Sequence, residues 1–144
     1  MNVSDLMVKD PIVVDMLTPV REVAKLMRDR AVSSVIIVKN ERPVGIITER
    51  DLVRRVLATN RDPESLKAFD ICTKPVIAVS DLSSIEDAID LMRENKIRRV
   101  VIVDGNDRAV GILTTDDLGY NLKRMSEDLA IKYITTMRRE KTAI

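Results

Sequence analysis

The sequence predicts a mixed α/β (α+β) fold made of two β-α-β-β-α repeats and an extra C-terminal helix. The phrase GIITERD, which begins at Gly45, returns as GILTTDD at Gly111, 66 positions later (111 − 45 = 66). Each copy lies shortly after an unbroken run of four β-branched residues. Repetition on this scale indicates duplication of one supersecondary unit. A unit of about 55 residues buries little surface and is marginal alone, so we expect the repeats to pack sheet to sheet with pseudo-two-fold symmetry.

The duplication covers most of the chain. The matching segments are residues 3–14 with 68–79, 20–27 with 85–92, 32–38 with 97–103, and 43–52 with 109–118. A polar segment with one proline separates the two copies. The predicted organisation is a first repeat at 1–58, a linker at 59–67, a second repeat at 68–122 and a helical extension at 123–144.

Each repeat contains one amphipathic helix. Residues 20–27 and 85–92 place apolar side chains at i, i+3, i+4 and i+7, the spacing of a buried helix face. Thr18-Pro19 predicts the start of the first helix. Ser83-Ser84 predicts the start of the second, and Ser83, followed three residues later by a glutamate, also predicts a capping box there.

The strands are predicted from the β-branched runs, which are typical of strands buried on both faces. Short polar turns join each run to a second strand, and a last helix begins at the threonine of each repeated phrase. A short strand opens each repeat. The predicted strands are 12–14, 35–38 and 44–47 in the first repeat, and 76–78, 100–103 and 110–113 in the second.

The composition excludes several classes of function. Aromatic residues make up 2% of the chain and the net charge is +1, so neither base stacking nor general attraction to nucleic acid or membranes is expected. No apolar run approaches the ~20 residues of a membrane span. There is one cysteine, Cys72, and no histidine, so we expect no internal disulfide and no histidine-based catalytic or metal site. These features predict a cytoplasmic protein.

One polar pair is repeated at the end of a predicted strand: Thr48 with Asp51, and Thr114 with Asp117. The structural interpretation is a capping box, in which hydroxyl and carboxylate satisfy backbone donors of the helix. The functional interpretation uses the same geometry, since a helix N-terminus binds phosphate and a carboxylate one turn later accepts hydrogen bonds from ribose hydroxyls. The residues alone leave both interpretations open.

The hypothesis of a nucleotide site extends to the neighbouring residues. Gly45 and Gly111 either allow close packing within the strand or let a planar base lie against the backbone. The apolar walls of a cleft are expected from the opening strands, at Ile12, Val13, Val76 and Ile77.

Countercharge for a phosphate is unequal between the repeats. Arg98 and Arg99 occupy the positions of Ser33 and Ser34 in the first repeat. Guanidinium groups there can serve a phosphate, and the alternatives are surface exposure or an ion pair with a carboxylate. We therefore expect unequal sites, one of which binds ligand better.

The segments DPIVV…VGIITERD and KPVIAV…VGILTTDD resemble the cystathionine-β-synthase (CBS) domain, and two copies in tandem resemble the Bateman module. The resemblance covers about residues 3 to 122. It implies that the two Thr–Asp pairs contact the phosphate and ribose of an adenosine-containing ligand. It also implies that Arg98 and Arg99 bind phosphate, and that Val76 and Ile77 accompany Asp51 in one cleft.

This resemblance implies a non-catalytic regulatory module, which binds AMP, ADP, ATP or S-adenosylmethionine, needs no cofactor and responds by conformational or oligomeric change. With no enzyme or channel in the sequence, we expect an effector protein or a homodimer to read out the change. The alternative is a structural dimerisation or partner-docking module with empty clefts. The C-terminal stripe supports either a dimer or packing on its own domain: Leu118, Leu122, Met125, Leu129, Tyr133 and Met137.

Other functions are poorly supported. The adjacent Asp116 and Asp117 would point in different directions on a helix, and a Walker-type phosphate loop is missing, so no enzyme is predicted. Cys72 aligns with Met7 and is interpreted as a small buried hydrophobe. The tail at 123–144 has six basic and three acidic residues, and its net charge of +3 supports only non-specific contact with nucleic acid.

Overall fold

The computed structural model describes residues 1–139, with the side chain of Arg139 left aside. The chain divides into two compact units. The first-repeat unit comprises residues 11–77 and 107–109, and the second-repeat unit comprises residues 1–10, 78–106 and the described residues from 110. The opening ten residues of each sequence repeat therefore belong to the unit that the other repeat forms.

The order of elements confirms the mixed α/β fold with two β-α-β-β-α repeats and a C-terminal helix. Single turns of 3-10 helix lie at Val3–Asp5, Leu57–Thr59 and Leu122–Arg124. The strands and α-helices are β1 (Val8–Lys9), β2 (Val13–Asp15), α1 (Val20–Arg30), β3 (Ser34–Lys39), β4 (Arg42–Thr48), α2 (Glu49–Arg55), α3 (Ala68–Ile71), β5 (Ala78–Ser80), α4 (Ile85–Asn95), β6 (Arg99–Val103), β7 (Ala109–Thr114), α5 (Thr115–Tyr120) and α6 (Glu127–Arg139).

The first-repeat unit contains a three-stranded sheet in the order β2-β3-β4. β2 runs parallel to the central strand β3, and β4 pairs with β3 antiparallel, as predicted for a hairpin. The β-branched run of β3 places Val35, Ile36 and Ile37 in the core. Residues 72–74 extend this sheet, because the backbones of Thr73 and Ile46 exchange hydrogen bonds of 2.8 and 3.1 Å.

The second-repeat unit contains a four-stranded sheet in the order β1-β7-β6-β5. β5 is parallel to β6, and β1, from the start of the chain, is antiparallel to β7. Val100, Val101 and Ile102 of β6 are buried. Full burial of such side chains contributes about 1.5–3 kcal/mol each, which explains why each central strand carries an unbroken aliphatic run.

The predicted boundaries need several corrections. The cap of α4 is Ser84, not Ser83: its hydroxyl accepts the Asp87 N–H at 3.0 Å, so the capping box of Ser83 with Glu86 is wrong. The carbonyl of Ser83 instead accepts the Val3 N–H at 2.8 Å. Pro19 precedes the first helical residue of α1 and no side chain caps that helix. The opening strands begin one or two residues later than predicted.

The C-terminal stripe does not form one helix. α5 ends at Tyr120, and α6 begins at Glu127. The Ser126 hydroxyl caps α6 by accepting the Leu129 N–H at 3.2 Å. Leu118, Met125 and Leu129 are nevertheless buried. α6 packs on α4 within the second-repeat unit, so this part of the stripe serves its own unit. Residues 140–144 of the predicted extension lie outside the described residues.

Candidate functional site

The pair Thr48–Asp51 forms the N-terminal cap of α2. Asp51 Oδ2 accepts the Thr48 N–H at 2.9 Å, and Thr48 Oγ1 accepts the Asp51 N–H at 3.4 Å. The three-residue spacing produces this reciprocal pair, because the backbone turns from strand into helix at Thr48. The prediction of a capping box at Thr48 and Asp51 is therefore correct.

The pair Thr114–Asp117 repeats this geometry at the start of α5. Asp117 Oδ2 accepts the Thr114 N–H and the Thr114 hydroxyl, both at 2.9 Å. Thr114 Oγ1 in turn accepts the Asp117 N–H at 3.1 Å. In both copies one carboxylate oxygen is committed to the cap, so only the other oxygen can serve a ligand.

The second oxygen of Asp51 is already engaged. Asp51 Oδ1 accepts the Thr73 hydroxyl at 3.3 Å and lies 3.5 Å from Arg55 Nε. Arg55 also donates to the carbonyls of Ile71 and Cys72, both at 3.1 Å. Asp51 as a whole residue is only 4% exposed. This carboxylate is thus held between α2 and the segment that opens the second sequence repeat.

The second oxygen of Asp117 is in a different position. Among residues 1–139 no side chain or backbone group donates a hydrogen bond to Asp117 Oδ1, and Asp117 is only partly buried. The residue aligned with Thr73 is Val8, which has no hydroxyl to donate. Because Asp117 is only partly buried, this oxygen can accept a hydrogen bond from water or from a ligand.

The two glycines of the repeated phrases serve close packing. A Cβ at position 45 would lie 2.6 Å from Cys72 Sγ. A Cβ at position 111 would overlap the Met7 side chain. On the face of each glycine where a Cβ would project, the opening segment of a repeat occupies the space in which we expected a base. The contacts therefore support the packing interpretation of both glycines.

Arg98 lies beside the start of α5. Its carbonyl accepts the Thr115 N–H at 2.8 Å, which fixes the beginning of β6 next to the second Thr–Asp pair. In the first-repeat unit the Glu49 N–H donates the equivalent hydrogen bond to the Ser33 carbonyl at 3.1 Å. Arg98 is exposed and Arg99 is half-buried, and both interact with other residues of the chain. The strand that adjoins this helix N-terminus thus begins with two arginines in the second-repeat unit and with Ser33 and Ser34 in the first, where Arg50 lies in the first turn of α2 itself.

The predicted apolar walls lie on different parts of the first-repeat unit. Ile12 and Val13 adjoin Ile36 at the edge of β3 opposite to β4. Val76 lies near the beginning of β4, whereas Thr48 and Asp51 lie at its end. There Val76 lines a cavity of about 610 Å³, together with Met16, Lys39, Pro43, Val44, Phe69, Lys74 and Pro75.

Ile77 directly precedes β5 and is half-buried. Val76 and Ile77 were predicted to accompany Asp51, but in the segment that opens the second repeat the residue that hydrogen-bonds to Asp51 is Thr73.

Thr73 and Arg55 were missed by sequence reasoning. The signal available for Thr73 was a difference between the repeats, a hydroxyl residue where the first repeat has Val8. Arg55 follows Asp51 at i+4, a spacing that permits an ion pair on a helix. Within residues 1–139 there is no cluster of three or more candidate metal ligands. None of the described helices combines the length and the apolar character needed to cross a bilayer.

Comparison with known sequences identifies the repeats. Residues 3–58 and 68–122 each match the model of the CBS domain family. An uncharacterized protein of Methanopyrus kandleri is 42% identical over 98 residues, which cover 67% of this chain and 50% of that protein. The CBS domain-containing protein YhcV of Bacillus subtilis is 30% identical over 136 residues, 94% of each chain. The chain spans 50%, 62% and 38% of the length of three of its curated relatives.

Comparison with solved structures agrees with the sequence matches. A CBS domain protein from Pyrobaculum aerophilum, complexed with AMP, superposes with a TM-score of 0.79 at 27% identity. The match covers 94% of this chain and 99% of that chain. Two consecutive family matches, over the two β-α-β-β-α repeats described above, show that this chain belongs to the CBS domain family as a tandem pair.

Proposed function

We propose that this chain is a regulatory module that binds an adenosine-containing ligand and responds by a change of conformation or of oligomeric state. The module performs no catalytic step and needs no cofactor. AMP is the first candidate ligand, and ADP, ATP and S-adenosylmethionine are the others. The proposal takes residues 1–58 and 68–122 as the two repeats, 59–67 as the linker and 123–144 as an accessory segment.

The observation that carries this proposal is the half-engaged carboxylate of Asp117. One oxygen completes the capping box, and the other accepts no hydrogen bond within residues 1–139. A carboxylate held rigidly in this way can accept the vicinal hydroxyls of a ribose with little loss of side-chain entropy. The N-terminus of α5 lies beside it and favours a phosphate. The Thr114 hydroxyl donates to Asp117 Oδ2 and so holds this carboxylate in place.

Two further observations support a nucleotide. Arg98 directly precedes β6 and Arg99 begins it, and the Arg98 carbonyl accepts the Thr115 N–H at the N-terminus of α5. Guanidinium groups are good phosphate ligands, and we propose that these two serve the phosphate. The similar protein of Pyrobaculum aerophilum binds AMP. Together with Asp117 these residues provide acceptors for the sugar and positive charge for the phosphate.

We propose that the two sites are unequal and that the site at Asp117 fills first. Asp51 is buried and both of its oxygens have partners, Thr48 on one side and Thr73 and Arg55 on the other. This arrangement favours the alternative function, a structural module, for the first Thr–Asp pair alone. Ile12, Val13, Val76, Ile77, Gly45 and Gly111 remain predicted contacts that line the two sites.

Thermal unfolding with and without ligand tests the proposal. A ligand that binds only the folded state stabilises it by RT ln(1 + [L]/Kd), about 2.7 kcal/mol at a hundredfold excess over Kd. We expect AMP to raise the midpoint of the wild-type chain, and Asp117→Asn to remove most of that increase. Asp51→Asn is the matched control, since it should lower stability and keep the response to AMP.

Two results would contradict the proposal. If no adenosine compound raises the midpoint at millimolar concentration, the chain is a ligand-free structural module. If Asp51→Asn abolishes the response and Asp117→Asn does not, the order of the two sites is reversed. Mass spectrometry of small molecules released from the denatured protein would identify the ligand directly.

The readout of binding is also part of the proposal. We propose that the chain forms a homodimer in the cytoplasm and that an effector protein senses the ligand-bound state. A ligand can shift such an equilibrium only by its different affinity for the two states. Sedimentation velocity with and without AMP would therefore show whether the response includes a change of oligomeric state.

A further inference from the structure

Arg55 links the carboxylate of Asp51 to the segment that opens the second repeat. Its Nε lies 3.5 Å from Asp51 Oδ1, and its Nη1 donates to the carbonyls of Ile71 and Cys72, both at 3.1 Å. The capping box uses the other oxygen of Asp51, Oδ2, which accepts the Thr48 N–H. One guanidinium therefore faces the carboxylate oxygen that the capping box leaves over, and it also holds the backbone beside α2.

The second-repeat unit holds its opening segment in a different way. The residue aligned with Arg55 is Asn121 (121 − 55 = 66), whose amide donates to the Asp117 carbonyl at 2.7 Å. Arg124 donates to the carbonyl of Asp5 at 3.3 Å. An arginine thus contacts the opening segment in both units, but within residues 1–139 it is the arginine of the first-repeat unit that also faces a carboxylate of a Thr–Asp pair.

We propose that Arg55 sets the affinity of the first Thr–Asp pair for the adenosine-containing ligand, because it competes with the ribose hydroxyls for Asp51 Oδ1. A ligand binds at Asp51 by displacing the guanidinium, and this displacement releases the carbonyls of Ile71 and Cys72. Arg55 is thus an affinity-determining residue and not a ligand contact. This inference rests on the proposed function, since it needs a ribose to compete with Arg55.

The ion pair of Arg55 with Asp51 is weak enough to be displaced. The Asp51 side chain is buried, but the Arg55 side chain that faces it is 47% exposed. The separation of 3.5 Å is longer than that of a charge-assisted hydrogen bond, about 2.7–2.9 Å, and ion pairs with an exposed partner contribute little. The guanidinium can therefore move into water at small cost.

A ribose can take over the role that Arg55 leaves. A buried carboxylate that loses a donor normally pays for the loss, because its desolvation is no longer compensated. The vicinal hydroxyls of a ribose replace that donor at Oδ1, and the capping box at Oδ2 is unaffected. The exchange of one donor for another therefore costs less than the simple loss of Arg55.

Cys72 reports whether Arg55 is in place. This residue is 2% exposed, and its carbonyl is one of the two that Arg55 holds. Without that hydrogen bond the backbone at Ile71 and Cys72 opens more readily, since local opening is easiest where few contacts hold a segment. Displacement of Arg55 should therefore make the Cys72 thiol easier to label.

Titration calorimetry with AMP tests the proposal on the full chain. Asp117→Asn weakens the second site, so that binding in this background reports on Asp51. There Arg55→Asn, which introduces the residue of the second repeat, should bind AMP about two- to fivefold more tightly, the factor expected from loss of a competing ion pair. Arg54→Asn is the matched control, because it removes the same charge from an exposed position of α2 and should leave the affinity unchanged.

The reverse exchange gives a test that does not depend on the stability of the first-repeat unit. Asn121→Arg, in the otherwise unaltered chain, should place a guanidinium beside Asp117 and weaken the tighter binding event by a similar factor. Thiol labelling provides a second readout. AMP should accelerate the labelling of Cys72 in the Asp117→Asn chain, and Arg55→Asn should raise the rate before AMP is added.

Three results would overturn the proposal. If Arg55→Asn weakens the binding of AMP at Asp51, Arg55 is a ligand contact. If the wild type binds AMP but Arg55→Asn and Asn121→Arg leave both affinities unchanged, the proposed function stands and Arg55 does not compete with the ligand. If neither the wild type nor any variant binds AMP, ADP, ATP or S-adenosylmethionine, the proposed function and the role of Arg55 fail together.

Discussion

The Thr73 hydroxyl donates a hydrogen bond of 3.3 Å to Asp51 Oδ1. This contact joins the segment that opens the second sequence repeat to the cap of a helix in the first. In the second-repeat unit the residue aligned with Thr73 is Val8, and Asp117 has no such donor. The Thr73 hydroxyl, together with Arg55, thus distinguishes the pair at Asp51, which we interpret as structural, from the candidate ligand pair at Asp117.

The variant Thr73→Val should destabilise the chain. Asp51 is buried, and loss of a donor leaves part of its desolvation cost uncompensated, which costs about 1–3 kcal/mol. Urea unfolding gives the free energy. The control Thr135→Val alters an exposed threonine of α6 and should change stability by less than about 0.5 kcal/mol. Equal stabilities for the two variants would show that Thr73 does not support Asp51.

The variant Gly45→Ala should destabilise the first-repeat unit. Its Cβ would lie 2.6 Å from Cys72 Sγ and 3.0 Å from the Thr73 carbonyl oxygen, so the opening segment must shift. Overpacking of this kind costs about 1–3 kcal/mol. Gly105→Ala is the control, because no atom lies within 4 Å of its Cβ. A midpoint of Gly45→Ala equal to that of Gly105→Ala would contradict the packing role of Gly45.

Cys72 should give the stability a pH dependence. Burial raises the pKa of the Cys72 thiol, and Asp51 adds to this effect while Lys74 opposes it. The folded state therefore favours the neutral thiol. The contribution is fully present below the unfolded pKa of about 8.5 and is lost as the pH rises through the higher folded pKa. Urea unfolding at pH 7 to 10 should show a steeper loss for the wild type than for Cys72→Ala.

A second readout checks the same prediction. A thiol reagent at pH 8 should modify Cys72 much more slowly in the folded chain than in urea, because the folded thiol is buried and largely protonated. Rapid labelling of the folded protein, or identical pH profiles for the wild type and Cys72→Ala, would show that the environment of Cys72 is not as described.

The variant Tyr133→Phe should loosen α6. It removes the hydrogen bond of 3.0 Å to the Thr115 carbonyl, with an expected cost of about 0.5–1.5 kcal/mol. Tyr120→Phe is a matched control, since Tyr120 is 87% exposed and should change stability little. Hydrogen exchange of residues 127–139 reports the effect locally. Unaltered exchange in Tyr133→Phe would mean that the hydroxyl does not hold this helix.

Much of the fold was predictable because its signals are local or periodic. The caps at Thr48 and Thr114 depend on a hydroxyl and a carboxylate three residues apart, a spacing that is visible in the sequence. The buried strands β3 and β6 follow from their aliphatic runs. The error at Ser83 arose because two adjacent serines offer the same side chain. The structure has the Ser84 hydroxyl as the cap, and the Ser83 carbonyl accepts the N–H of Val3, which is distant in sequence.

The candidate site was predicted only in part. The sequence predicted unequal sites from Arg98 and Arg99, but it did not reveal that Thr73 and Arg55 engage Asp51. Gly45 and Gly111 were assigned two possible roles, and the side chains that lie against them come from segments distant in sequence. Such contacts leave no periodic signal, so no pattern within one repeat could have revealed them.

The sequence by itself determined the duplication, the order of strands and helices, and the two capped helix starts, because these depend on neighbours within a few residues. The tertiary structure alone decided that the opening segment of each repeat joins the other unit, that Thr73 engages Asp51 whereas Val8 offers Asp117 no such donor, and that α6 packs on α4. Those outcomes depend on contacts between segments that are distant in sequence, and such contacts are fixed only when the whole core packs.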